Sequence, residues 1–129
     1  MMRILVVDDE PEICSFLQEF LMKKSYEVLT ATDAAEALKC VKAKRPHLVL
    51  LDIRMPQKDG VALLKEIKEM DRDIGVIMVS ALKDEVLAKK TLELGADGYI
   101  TKPIDLSYLE TNIFVKRFLS DGPIDKSGV

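Results

Sequence analysis

No stretch of the 129-residue sequence approaches the roughly 18–20 apolar residues needed to cross a bilayer, which excludes a membrane-spanning helix. The opening Met1-Met2-Arg3-Ile4-Leu5-Val6-Val7-Asp8-Asp9 also lacks the shape of a secretory signal, so a cytoplasmic location with no membrane partner is expected. A basic excess is missing as well. Lys and Arg total 19 against 22 for Asp and Glu, a net charge of −3, so there is no positive footprint for direct nucleic-acid binding. Cysteine is scarce: Cys14 and Cys40 have no metal-ligand spacing and read as small helix residues of a reduced protein. Histidine is scarcer still. The single His47 follows Pro46 at the start of a strand and reads as structural or solvated. There is no internal repeat and no low-complexity segment. What is present is 48% hydrophobic and 32% charged, enough for one well-buried core and one domain.

Two hydrophobic periods alternate along the chain. Arg3–Asp8 is an apolar, β-branched run without polar alternation, the pattern of a parallel strand buried on both faces. Pro11 opens a helix in which Ile13, Phe16, Leu17, Phe20 and Leu21 recur at helical spacing. Tyr26–Ala31 is a second strand, and Asp33-Ala34-Ala35-Glu36 predicts a capping box at the start of the next helix, with Ala37, Leu38 and Val41. Pro46 ends it, and His47–Asp52 is a third strand. Asp59-Gly60 leads into a helix with Leu63, Leu64, Ile67 and Met70, and Ile74–Ser80 is the fourth strand. A helix from about Lys83 stops at Gly95, Gly98–Thr101 is the fifth strand, and Asp105 starts the last helix. Five strands alternating with five helices predict an α/β fold, a doubly wound five-stranded parallel sheet in the order 2-1-3-4-5. Residues 1–119 form this domain, and 120–129 read as a tail or linker.

In that order ligands bind beyond the carboxyl ends of the strands, where the first and third strands are neighbours. The residues at those ends are Asp8-Asp9-Glu10, Asp52, Ser80 and Lys102-Pro103. Converging aspartates repel one another unless a cation neutralises them, and hard oxygen donors with open positions favour Mg²⁺. A lysine supplies a point charge for a phosphate oxygen, a serine hydroxyl a hydrogen bond, and a carboxylate a competent nucleophile. Each group alone is unremarkable, since two acids after a strand often do no more than favour a helix dipole. Together they are the parts needed to move a phosphoryl group onto an aspartate.

The same residues carry a family resemblance. Val6-Val7-Asp8-Asp9-Glu10, Leu50-Leu51-Asp52-Ile53-Arg54-Met55-Pro56 with Asp59-Gly60, Ser80-Ala81, and the run from Gly95 to Pro103 resemble the receiver domains of two-component response regulators over about residues 3–119. The resemblance implies a flavodoxin-like fold and an Asp52 that accepts phosphate from the phosphohistidine of a sensor histidine kinase or histidine phosphotransfer protein. It implies Mg²⁺ held by Asp9, Asp52 and the backbone carbonyl of Arg54, with Asp8 helping through water. Ser80 and Lys102 would hold the phosphoryl oxygens, a cis peptide would join Lys102 to Pro103, and Tyr99 would be the aromatic switch residue following Ser80. Arg54 and Leu82 would flank the path of an attacking water. Such a chain is a regulatory phosphoacceptor and not an enzyme with a separate substrate. Members with a winged-helix output usually carry two acids before the switch aromatic; here the pair is Asp97-Gly98, so their dimer contacts are not carried over. The chain is expected to be a stand-alone receiver or a receiver cut from a longer protein.

Two rivals share parts of the pattern. A phosphohydrolase of the haloacid dehalogenase type needs a second Asp two residues after its nucleophile, where this chain has Arg54. A flavodoxin-like FMN carrier wants a Gly/Ser/Thr loop after the first strand, where this chain has Asp9-Glu10-Pro11. The last helix carries a further expectation. Leu106, Leu109 and Ile113 should cover the sheet, leaving Tyr108, Phe114, Val115 and Phe118 on the far side. That side adjoins the fourth helix and fifth strand and is the predicted surface for an output domain, a partner or a second copy.

Overall fold

The computed structural model describes residues 1–55 and 58–121, with side chains described as far as Arg117. The elements alternate as β1 (Arg3–Val7), α1 (Pro11–Lys23), β2 (Glu27–Ala31), α2 (Ala34–Lys44) and β3 (Leu48–Asp52). They continue as α3 (Gly60–Met70), β4 (Gly75–Ser80), α4 (Glu85–Glu93), β5 (Gly98–Thr101) and α5 (Leu106–Asp121). The five strands form one parallel sheet in the order β2-β1-β3-β4-β5, as the sequence predicts.

The apolar strand runs hide a period of two that the sheet reveals. Leu5, Val7, Val49, Leu51, Val76 and Met78 face one side, where they pack with Ala37 and Val41 of α2 and Leu63, Leu64 and Ile67 of α3. Ile4, Val6, Leu48, Leu50 and Ile77 face the other, against Leu17 and Leu21 of α1 and Leu109 and Ile113 of α5. Both faces are dry because helices cover both, so every strand position can be apolar. Each fully buried Leu or Ile contributes about 1.5–3 kcal/mol by leaving water, which makes these two clusters the main stabilising layer.

Local signals set the helix starts. Asp33 accepts the Glu36 N–H at 2.8 Å, and the Glu36 carboxylate reaches back to the Thr32 N–H at 2.7 Å, one residue before the position a capping box would use. Asp84 accepts the Leu87 N–H at 3.0 Å, so α4 begins at Glu85 and not near Lys83. Asp105 accepts the N–H groups of Ser107 and Tyr108 at the head of α5. The second, third and fourth strands each start one residue later than the sequence suggests.

The buried stripe of α1 differs from the expected one. It runs through Cys14, Leu17 and Leu21, while Phe16 is 53% exposed. Phe16 lies one residue, about 100° of helix, from the stripe's centre at Leu17 and falls outside the face that β1 and β2 cover. Ile13 and Phe20 sit at the margins, half-buried. α5 runs through Asp121, past the expected boundary at 119; residues 122–129 lie outside the described set.

Candidate functional site

Asp8 follows β1 directly and is buried, its N–H bonded to the Ala31 carbonyl at 3.1 Å. One carboxylate oxygen accepts the Glu10 N–H at 2.9 Å, and the other lies 3.1 Å from the Lys102 ammonium. Asp52, the last residue of β3, is also buried; Oδ1 accepts the Arg54 N–H at 3.3 Å and Oδ2 lies 3.5 Å from the same ammonium. Glu10 Oε1 is 3.9 Å from it. Lys102 is held here by its N–H, which donates to the Ser80 carbonyl at 2.7 Å and extends the β4–β5 pairing; its peptide to Pro103 is cis.

Ser80 ends β4 and is buried, with Oγ accepting the Leu82 N–H at 3.0 Å. The Tyr99 hydroxyl, from β5, donates to the carbonyl of the same Leu82 at 2.9 Å. One residue of the β4–α4 loop therefore touches both Ser80 and Tyr99. The crevice at the carboxyl ends of β1, β3, β4 and β5 thus gathers Asp8, Asp9, Asp52, Ser80 and Lys102 from four separate strand ends.

Residues 4–114 match the family model of the response regulator receiver domain. The chain belongs to that family. It is 40% identical over 117 residues to the alkaline phosphatase synthesis transcriptional regulatory protein PhoP of Bacillus subtilis, covering 91% of this chain and 48% of the relative. The transcriptional regulatory protein PrrA of Mycobacterium tuberculosis is 39% identical over 111 residues, 86% of this chain and 48% of its own length. The chain spans about half the length of the curated relatives it matches. Among solved structures, a CheY-like receiver domain from Methanospirillum hungatei superposes with a TM-score of 0.89 at 31% identity, over 93% of this chain and 96% of that one. The response regulator protein TrrA from Thermotoga maritima, solved in complex with Mg²⁺-BeF, has a TM-score of 0.81 at 34% identity, covering 90% and 99%.

The charges in this receiver are strongly coupled. Burial, followed by the Asp8 carboxylate, pushes the Asp52 pKa above the ordinary carboxylate value, against the pull of Lys102 and of the Arg54 N–H. Burial lowers the Lys102 pKa, but its hydrogen bond to Asp8 and the charges of Asp52, Asp8 and Glu10 outweigh it and leave a net rise. Lys102 is thus held protonated as the counter-charge of three acids. Beneath them, Cys14 donates its thiol proton to the Asp8 carbonyl at 3.4 Å, and burial above all raises its pKa to about 11. It is an inert packing residue.

The donor set fits a hard divalent cation. Carboxylate oxygens of Asp8, Asp9 and Glu10 all lie within 4.8 Å of one another, hard oxygen donors that match Mg²⁺. Asp52 is outside that trio and joins it through Lys102. Glu10 belongs to both groupings, and its adjacency in sequence to the two aspartates is the signal for it. His47 sits at the opposite end of the sheet, where its Nδ1 accepts the Arg3 N–H at 2.9 Å and its carbonyl accepts the Gly75 N–H. On α5, Tyr108, Phe114 and Val115 are 53%, 64% and 48% exposed. The Phe118 side chain lies outside the described residues.

Proposed function

We propose that this receiver is a phosphorelay switch in which Asp52 accepts a phosphoryl group from the phosphohistidine of a sensor histidine kinase or phosphotransfer protein. The observation that carries the reading is the Lys102 ammonium between Asp8, at 3.1 Å, and Asp52, at 3.5 Å, at the carboxyl ends of β1 and β3. An Asp52 oxygen attacks the phosphorus, the P–N bond breaks, and its electron pair returns to the imidazole. Lys102, already poised against Asp52, follows the charge onto a phosphoryl oxygen. Ser80 accepts its present hydrogen bond, so its own proton is available to donate to another phosphoryl oxygen. Asp8, Asp9, Asp52 and the Arg54 carbonyl would hold Mg²⁺, which when bound offsets the charge of the incoming phosphate.

The same contacts supply a route to output. Movement of Ser80 toward a phosphoryl group pulls on Leu82, which Tyr99 also grips, and so biases the surface of α4, β5 and α5 toward an output domain or partner. The chain then catalyses only its own phosphorylation and slow dephosphorylation, in the cytoplasm where such kinases present their phosphohistidine. The test is intact mass after acetyl phosphate treatment. Wild type with Mg²⁺ should gain one acid-stable, base-labile phosphoryl group, and metal-free protein or Asp52→Asn should gain none. Equal labelling of Asp52→Asn would falsify the assignment.

A further inference from the structure

Gly60, the first residue of α3, is pressed against the main chain of the phosphoacceptor. A Cβ built there would lie 2.6 Å from the Asp52 carbonyl oxygen, 2.6 Å from Ile53 Cα and 2.9 Å from the Ile53 carbonyl oxygen. All three are backbone atoms, so no side-chain rotation relieves the contact. The Gly60 N–H donates to the Ile53 carbonyl at 2.8 Å, which fastens the helix start to the peptide just beyond Asp52. The helix itself has little freedom to retreat. Asp59 accepts the Val61 N–H at 2.9 Å, and Leu63, Leu64 and Ile67 are fully buried beneath it.

We propose that Gly60 is a positioning residue for the phosphoacceptor site, setting through the Asp52–Ile53 peptide where the Asp52 carboxylate and the Arg54 carbonyl stand. The inference rests on the reading of Asp52 as phosphoacceptor and metal ligand. A methyl group at position 60 moves that peptide, and ligand geometry for Mg²⁺ tolerates displacement poorly because the ion demands near-octahedral oxygens. Gly75 provides the matched control. A Cβ there meets the flexible Lys116 side chain at 2.6 Å and the Leu48 side chain at 3.0 Å, at the amino end of β4 and away from the site.

The experiment is a calorimetric titration of the 129-residue chain with Mg²⁺ alone, for wild type, Gly60→Ala and Gly75→Ala, at a temperature where circular dichroism shows each folded. Gly60→Ala should weaken Mg²⁺ binding by about 10–100-fold, the usual effect of disturbing groups that orient metal ligands. Gly75→Ala should bind as wild type even though it loses stability. Unchanged affinity in folded Gly60→Ala overturns the proposal, as does an equal loss in Gly75→Ala. A wild type that neither binds Mg²⁺ nor takes phosphate from acetyl phosphate overturns the phosphoacceptor reading instead. Should Gly60→Ala not fold, amide resonances of wild type decide. The Gly60 and Arg54 N–H signals should shift with one midpoint across the titration, and a stationary Gly60 signal overturns the proposal.

Discussion

Asp52 is held at a cost to the fold. Burial and the neighbouring Asp8 raise its pKa above 3.8, so the folded chain binds this proton more tightly than the unfolded chain does. That contribution to stability is complete below the ordinary carboxylate value and is lost as pH rises through the raised one. Asp52→Asn, neutral at every pH, escapes the loss. In metal-free buffer at pH 7 it should therefore melt above wild type, and the gain should vanish as pH falls below the carboxylate range. Thermal melts across pH check this, and equal melting at pH 7 contradicts it. Two other residues bear on lifetime. Arg54 is exposed and Leu82 half-buried, two positions beyond Asp52 and Ser80; under the proposed function, a long cation and a branched side chain there would hinder an in-line water. The aspartyl phosphate should persist for minutes or longer, and Arg54→Ala should shorten it. A wild-type half-life of a few seconds in a phosphate-release assay would contradict the assignment.

At the scale of elements, α3 and α5 lie on opposite faces of the sheet yet meet at Asp97, just before β5. Its carboxylate accepts the Val76 N–H at 2.9 Å and takes Lys68 from α3 at 3.6 Å and Lys116 from α5 at 3.3 Å. Its own N–H donates to the Val76 carbonyl at 2.7 Å. Asp97→Ala strands the Val76 N–H and leaves two ammonium groups without their shared acid, at a cost of about 2–3 kcal/mol. Asp97→Asn should cost less, because its amide oxygen can still accept from Val76. Urea unfolding measures both, and phosphorylation of the folded variants should be unimpaired because the cluster lies at the far end of the sheet. Asp97 stood within the run that resembles the family, but its role was not legible. Lys68 and Lys116 are remote in sequence, and only the packing of α3 and α5 brings them to it.

The side formed by α4, β5 and α5 carries exposed apolar side chains among charged ones, as α1 does at Phe16 and Met22. β5 is an edge strand, α4 exposes Val86 and Leu92, and α5 exposes Tyr108 and Val115 while Leu109 and Ile113 face the core. The expected division of α5 into a buried and an outward face is therefore present through Val115. Because Tyr99 sits on β5 and is tied through Leu82 to Ser80, occupancy of Asp52 should change binding at this side. Sedimentation or partner titration with a beryllofluoride mimic should show state-dependent association that Tyr108→Ser and Phe114→Ser weaken. Association indifferent to the mimic, or to both substitutions, would move the output surface elsewhere.

Sequence alone determined the order and type of the elements, because parallel strands covered on both faces must be apolar throughout and Pro11, Asp33 and Asp105 mark helix starts locally. It also put Asp8, Asp52, Ser80 and Lys102 together at one edge, since a doubly wound sheet brings all its strand ends there. Tertiary structure decided what depends on distance across elements. Lys102 is shared among Asp8, Asp52 and Glu10, the Leu82 peptide lies between Ser80 and Tyr99, and Phe16 is turned out while Cys14 is turned in. Gly60 shows the same division. Its place after Asp59 announces a helix start, but its contact with the Asp52 backbone exists only once α3 is packed on the sheet, because a close approach of two backbones has no local signature.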